Sequence, residues 1–185
     1  MEITDKPIDM VVGFDHRAAA AEMLKHMIAK GYKRIASVGA RMDHRVRRRR
    51  DSYRAIMQET GLYDPDLDIS TDEPSSVTTG RKLVEQILSK RRDIDAFFCH
   101  NDDLALGCLF ACQAACLKVP EDVGITGFND MEFMSATFPP LTSITTHRFD
   151  MGRRAVDLAL QAVENKNIPE RIVNLGYDLA VRESI

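Results

Sequence analysis

The sequence predicts a doubly wound α/β fold, a parallel sheet covered by helices on both faces. Three observations carry the prediction. Short apolar runs alternate along the chain with longer amphipathic segments; glycine or proline stops those segments; and the apolar content, 44% of 185 residues, is enough for the core of one large domain or two small ones. Alternation of this kind implies right-handed crossovers between parallel strands, and no internal repeat or low-complexity stretch interrupts it.

Taken in order, Met10-Val11-Val12-Gly13-Phe14 reads as a buried strand, and the alanines 18–21 through Ile28 read as a helix stopped by Gly31. Arg34 to Gly39 is the next strand, followed by a helix from about Arg47 to Thr60 that ends at Gly61. Leu67-Asp68-Ile69 is a short strand, and Ser75 or Ser76 caps a helix through Leu88. Asp95 to Cys99 is a strand; Asn101 or Asp102 caps a helix running to about Leu117, where Pro120 blocks extension. Val123 to Gly127 supplies a further strand. After Pro139-Pro140 come a strand at Leu141–Thr146, a helix from about Phe149 to Glu164, and strands near Ile172–Leu175 and Leu179–Val181, all candidates for a second lobe.

A net charge of -3 is too near neutral for the whole chain to grip nucleic acid, which needs a basic surface that displaces counterions. No apolar run approaches the ~20 residues of a membrane helix, and Met1 to Pro7 is charged where a signal peptide would be apolar. A cytoplasmic location without membrane partners is expected. Of the four cysteines, Cys99, Cys108, Cys112 and Cys116, the last three are spaced four apart, which suits one face of a helix rather than a disulfide framework, and reduced thiols are expected.

Ligands of an open parallel sheet sit beyond the carboxyl ends of its strands. Those positions are polar here: Asp15 and His16, Arg41 to Arg49, Thr71 to Ser76, His100-Asn101-Asp102, and Asn129-Asp130. Such a rim suits a polyhydroxyl or anionic ligand. The run Arg45-Val46-Arg47-Arg48-Arg49-Arg50 invites a nucleic-acid reading, but it enters a helix, so its members point to different sides; one or two face the crevice and the rest form a solvated face. An arginine that takes a carboxylate is expected to do so with two donors. The cysteine stripe lacks the C-x2-C spacing of structural zinc sites and reads as small apolar side chains. Adjacent Asp102 and Asp103 point apart at a helix start and read as caps rather than an acid–base pair. No nucleophile elbow, P-loop or dinucleotide fingerprint occurs, so no catalytic residue, metal site or cofactor is expected.

The string Phe98-Cys99-His100-Asn101-Asp102-Asp103-Leu104-Ala105-Leu106-Gly107 resembles the N-D-x-x-A-x-G signature of the LacI/GalR (lactose-repressor) family. Further landmarks follow in that family's order: Leu117 to Val123, Ile125 to Asp130, Pro140 to Ile144, Met151-Gly152, and upstream Val12 to Asp15 and Lys30 to Ala36. The resemblance spans nearly the whole chain and implies a periplasmic-binding-protein-like effector domain, mostly its C-terminal subdomain. Residues 34–145 would be that effector-binding subdomain. Residues 1–33 would be a partial N-terminal-subdomain segment with a crossover helix, and 146–185 a return segment. The DNA-reading helix-turn-helix would lie outside this chain.

The family's effector arginine, four residues before an aromatic in R-x-x-G-[YFW], falls on Arg49 before Tyr53, with Ser52 in place of the glycine. The signature asparagine is Asn101. The usual sugar-binding aspartate is replaced by Asn129, and Ser75 stands where many relatives stack a ring on an aromatic, which favours an open-chain ligand. Arg45, Arg49 and Arg148 would bring positive charge to the crevice. Gly39 to Asp43, with Phe98 to Asp103, most resembles the gluconate-repressor branch. The function the resemblance implies is a transcriptional regulator that binds a sugar or sugar acid and acts as a homodimer. Its cleft closes on the effector and re-spaces DNA-binding heads, so operator DNA is a partner only through the absent domain. Apolar side chains on the Leu104–Cys116 helix and around Met131–Met134 would contribute to the dimer face or to the core. A transport-type sugar-binding protein and an enzyme acting on a sugar acid are the rival readings.

Overall fold

The computed structural model describes every residue except Met1, Asp5 and Asn165. Strand β1 (Val11–Gly13) leads into helix α1 (His16–Ala29), then β2 (Ile35–Gly39), α2 (His44–Glu59), β3 (Asp68–Ser70), α3 (Val77–Leu88), β4 (Ala96–Cys99), α4 (Asp102–Ala114) and β5 (Gly124–Thr126). The one-turn helix α5 (Phe133–Ala136), β6 (Ser143–Thr145), α6 (Arg148–Val163), β7 (Ile172–Asn174) and β8 (Asp178–Ala180) complete the described elements.

The main sheet is parallel, in the order β3-β2-β4-β5. Its side chains alternate between two cores, as the period of a strand requires. Ala36, Val38, Phe97, Cys99 and Ile125 face α3 and α4, whereas Ile35, Ala96 and Phe98 face Met23, Met27, Tyr53 and Met57 of α1 and α2. Tyr53 spans that layer, and its hydroxyl donates to the Ile35 carbonyl at 2.8 Å. Cys99, Cys108 and Cys112 behave as small apolar side chains and are buried, whereas Cys116, expected on the same helix face, is exposed beyond the end of α4.

Two small sheets flank the main one. β1 pairs with β7 in parallel under α6, over a core of Val12, Leu158, Ile168 and Val173. β6 pairs with β8 antiparallel, an arrangement that strict strand–helix alternation does not predict. The residues expected to form one return segment therefore divide. Those from α6 to β7 form the small lobe with β1, while the chain from β8 onward runs back to the main sheet, where the Ile125 amide donates to the Ser184 carbonyl at 2.8 Å. Helix α1, likewise, packs on α2 within the core of the main sheet rather than on the small lobe.

Two boundaries differ from expectation for local reasons. Helix α2 starts at His44 rather than near Arg47, because the Asp43 carboxylate caps it, accepting from the amides of Arg45 (3.0 Å) and Val46 (3.1 Å). β3 begins at Asp68, because Pro65–Leu67 winds into a 3-10 turn capped by Asp64. The connection out of β2 goes to β3 on one side, while β4 lies on the other side of β2, so the loops leaving β2 and β4 diverge. That divergence opens a crevice at their carboxyl ends.

Candidate functional site

The crevice is a cavity of about 140 Å³ lined by Arg41, Asp43, Arg45, Val46, Arg49, Ser75, Asn101 and Asn129. Arg45, Arg49, Ser75, Asn101 and Asn129, expected from sequence to meet, are thus brought together. Arg148, expected to join them, is not: it is exposed at the start of α6, with its guanidinium against the Met131 sulfur.

Each side chain is placed by its element. The Asp43 cap sets the first turn of α2, which puts Arg45 and Arg49 four residues apart on one face, while Arg47 turns back to the Met42 carbonyl and Arg50 and Arg54 pair with Asp68. Asn101 occupies the N-cap position of α4, yet its side chain makes no cap. It accepts from Arg49 Nη1 at 3.0 Å and donates to Ser75 Oγ at 3.1 Å, and Ser75 in turn donates to Asp103 at 2.9 Å. Ser76, not Ser75, caps α3, which leaves Ser75 for the cavity. Asn129 sits at φ 113, a backbone region that side chains seldom adopt and that persists where the surroundings impose it.

Arg49 is 3% exposed and lies flat on the buried Phe128 ring, Cζ 3.6 Å from its centroid. Its Nε and Nη2 each lie 3.1 Å from His16 Nδ1, and Nη1 donates to the His100 carbonyl and to Asn101. Four of its five donors are thereby used, which leaves one Nη2 hydrogen for a ligand. A two-donor grip on a carboxylate, expected from sequence, is not available in this arrangement; attraction comes from charge plus a single donor. None of these partners is anionic. Burial, and then the charge of Arg45, lowers the Arg49 pKa to about 9, so the group stays cationic at neutral pH.

The neighbouring imidazoles are neutral. Burial, and then the charge of Arg49, holds His16 down to about 2 and His100 down to about 3. His100 shares a hydrogen bond of 2.8 Å with Ser37. Asp102 leaves the cavity altogether: it accepts from the Met131 amide at 2.7 Å and the Ser143 hydroxyl at 2.7 Å, and burial raises its pKa. Asp103 points the other way, to Ser75. The two carboxylates diverge, and no acid–base pair forms.

Sequence reasoning placed His16 and Arg41 on the rim but gave them no part, and it missed Phe128. Arg41 lines the cavity at φ 63, and its amide donates to the Glu73 carbonyl at 2.8 Å. Only an arginine's need for partners when buried could have pointed to His16; the Phe128 contact is non-local and leaves no local signal. Among the described residues, no group of three or more His, Cys, Asp or Glu side chains is placed to hold a metal, and no helix is long and apolar enough to cross a membrane.

Residues 24–185 match the family of periplasmic binding protein-like domains. The chain is 38% identical over 173 residues to the HTH-type transcriptional regulator GntR of Pseudomonas aeruginosa, covering 94% of this chain and 50% of that protein. It is 35% identical over 180 residues to the HTH-type transcriptional regulator IdnR of Escherichia coli (strain K12), covering 97% and 54%. The chain therefore spans about half the length of these regulators. The crystal structure of transcription regulator GntR from Chromobacterium violaceum superposes with a TM-score of 0.95 at 36% identity, covering all of this chain and 68% of that one. These relatives are named as regulators of transcription, not as enzymes.

Proposed function

The chain belongs to the periplasmic binding protein-like domain family, among the LacI-type transcriptional regulators, and on that premise we propose that its cavity is an effector site for a small open-chain sugar acid of gluconate type. The observation that carries this reading is Arg49: a buried cation whose hydrogen-bond partners are all uncharged. Asp43, Asp102 and Glu2 act on it only through space, and a buried charge is costly unless it is paired and hydrogen-bonded, a partner that an anionic ligand would supply. Around it, Arg41 and Arg45 face a single lining carboxylate, Asp43, which already pairs with Arg45 at 2.8 Å. The cavity therefore carries surplus positive charge. Ser75, Asn101 and Asn129 offer short polar groups for hydroxyls, and the lining has no aromatic face on which a sugar ring would stack.

In this reading residues 34–145 supply the cavity lining, and the small lobe of β1, α6 and β7 belongs with the second lobe of the whole regulator. The ligand's differential affinity for a closed arrangement of the lobes would be the signal. Dimerisation and operator contacts are likewise proposed for the whole regulator.

A thermal-shift panel of gluconate, other sugar acids, neutral hexoses and inorganic phosphate tests the reading, because a ligand at a hundred times its Kd stabilises the native state by about 2.7 kcal/mol. Stabilisation by acids that disappears in Arg49→Ala is the expected result. Equal stabilisation by a neutral hexose, or an acid response unchanged in Arg49→Ala, would overturn it.

A further inference from the structure

We propose that His16 is the positioning residue of this site: its Nδ1 holds the Arg49 guanidinium in the plane that a ligand's carboxylate meets, and so sets the preference for acids over neutral sugars. The inference rests on the sugar-acid reading above and adds a residue to it.

The geometry fixes the chemistry of the ring. A guanidinium donates only, so Nδ1, 3.1 Å from both Nε and Nη2, must be the acceptor, and the proton of the neutral imidazole must sit on Nε2. That Nε2 is buried and has no partner. A buried N–H without a partner is costly, and in a native fold such a group calls for an explanation, which the bond made by the opposite edge of the ring supplies.

The ring itself cannot drift. Asp15 caps α1 by accepting from the amides of Arg17 (2.8 Å) and Ala18 (3.0 Å), which fixes the helix start at His16. The imidazole packs against both Phe14, centroids 4.1 Å apart, and Phe128, 5.7 Å apart, which also touch each other at 6.2 Å. Phe128 also carries the face of Arg49. The aromatic floor sets the plane of the guanidinium, and the Nδ1 lone pair fixes its Nε–Nη2 edge while the His100 carbonyl and Asn101 hold Nη1. A neutral acceptor suits this task, because it orients Arg49 without cancelling the charge that the ligand meets. A carboxylate at position 16 would orient it equally well and cancel that charge.

Two measurements test the proposal. Ring-nitrogen NMR of the ligand-free chain reads the tautomer directly: an Nε2-protonated His16, unchanged from pH 5 to pH 8 and altered in Arg49→Ala, is expected. An Nδ1-protonated or titrating ring would overturn the pairing. Binding of gluconate to His16→Phe and His16→Asn then reads the consequence. Phenylalanine keeps the ring packing but removes the acceptor, and the loss is expected at tenfold to a hundredfold, roughly the worth of a hydrogen bond to a charged group. Asparagine returns an acceptor oxygen near the Nδ1 position and is expected to recover most of the loss. Wild-type affinity in His16→Phe, or asparagine as weak as phenylalanine, would contradict the role. A wild-type chain that binds no sugar acid would instead refute the functional reading, and the tautomer would still decide the pairing.

Discussion

Buried histidines make this protein's stability depend on pH, and the sign follows from their surroundings. His16 and His100 are 3% and 0% exposed and neutral when folded, with pKa values held down to about 2 and about 3 by burial. In the unfolded chain both return to about 6.5, so below that pH the unfolded state binds more protons and stability falls as pH falls. Each ring contributes about 1.4 kcal/mol per pH unit, so the pair removes roughly 3 kcal/mol between pH 7.5 and pH 5.5. Asp102, whose pKa burial raises, works in the opposite sense but only in the range above its unfolded value of 3.8. Urea unfolding at the two pH values checks this, and an unchanged free energy would mean that the folded rings accept protons. At this scale the sequence was legible where a motif named a position. Arg49, Asn101, Asn129 and Ser75 meet as their spacing within the resemblance implied. His16 and Phe128 were not legible, because each touches Arg49 from a different part of the chain. Arg148 stayed outside, since its helix belongs with the small lobe rather than with the carboxyl end of the main sheet.

Helix contact across one face of the main sheet turns on two glycines. A Cβ on Gly107 would come within 2.2 Å of the Val77 carbonyl oxygen and 2.6 Å of the Arg81 amide, and one on Gly80 within 2.6 Å of the Leu104 carbonyl oxygen. α3 and α4 therefore touch backbone to backbone. Gly152, inside α6, has nothing within 4 Å of such a Cβ. The two sites predict opposite signs for one substitution. Gly107→Ala is expected to destabilise by about 1–3 kcal/mol or more, since overpacking against backbone cannot relax by a rotamer change. Gly152→Ala is expected to stabilise by roughly 0.5–1 kcal/mol through helix propensity alone. Chemical denaturation of both variants decides it; a stabilised Gly107→Ala would refute the close packing. Most elements could be read from apolar periodicity, and their ends from glycine and proline. The start of α2 escaped because an Asp43 cap outweighs the weak apolar pattern of an arginine-rich turn. The antiparallel β6–β8 pair escaped because its strands are distant in sequence and short.

Across the whole molecule, the site's position follows from topology rather than from cavity size. A larger groove of about 600 Å³ runs beside β3, lined by Asp66, Ile69, Leu83, Gln86, Lys90 and Arg91 among others. It lies along the edge of the sheet, and Arg91 there is already paired with Asp64 and Asp93. The smaller cavity has the topological switch point, a buried arginine bonded to no carboxylate, and a backbone held at positive φ. Those features are why we propose the smaller cavity, rather than the larger groove, as the ligand site. The doubly wound class was legible from alternation alone. How the C-terminal segment divides between the two lobes was not, since pairing of β8 with β6 is a long-range choice made by burial. The central claim is that a small acid binds at Arg49, and amide and side-chain NMR shift mapping with gluconate tests it most directly. Perturbations centred on Arg45, Arg49, Ser75, Asn101 and Asn129 are predicted; perturbations centred on Ile69, Leu83 and Arg91, with the Arg49 signals unmoved, would contradict it.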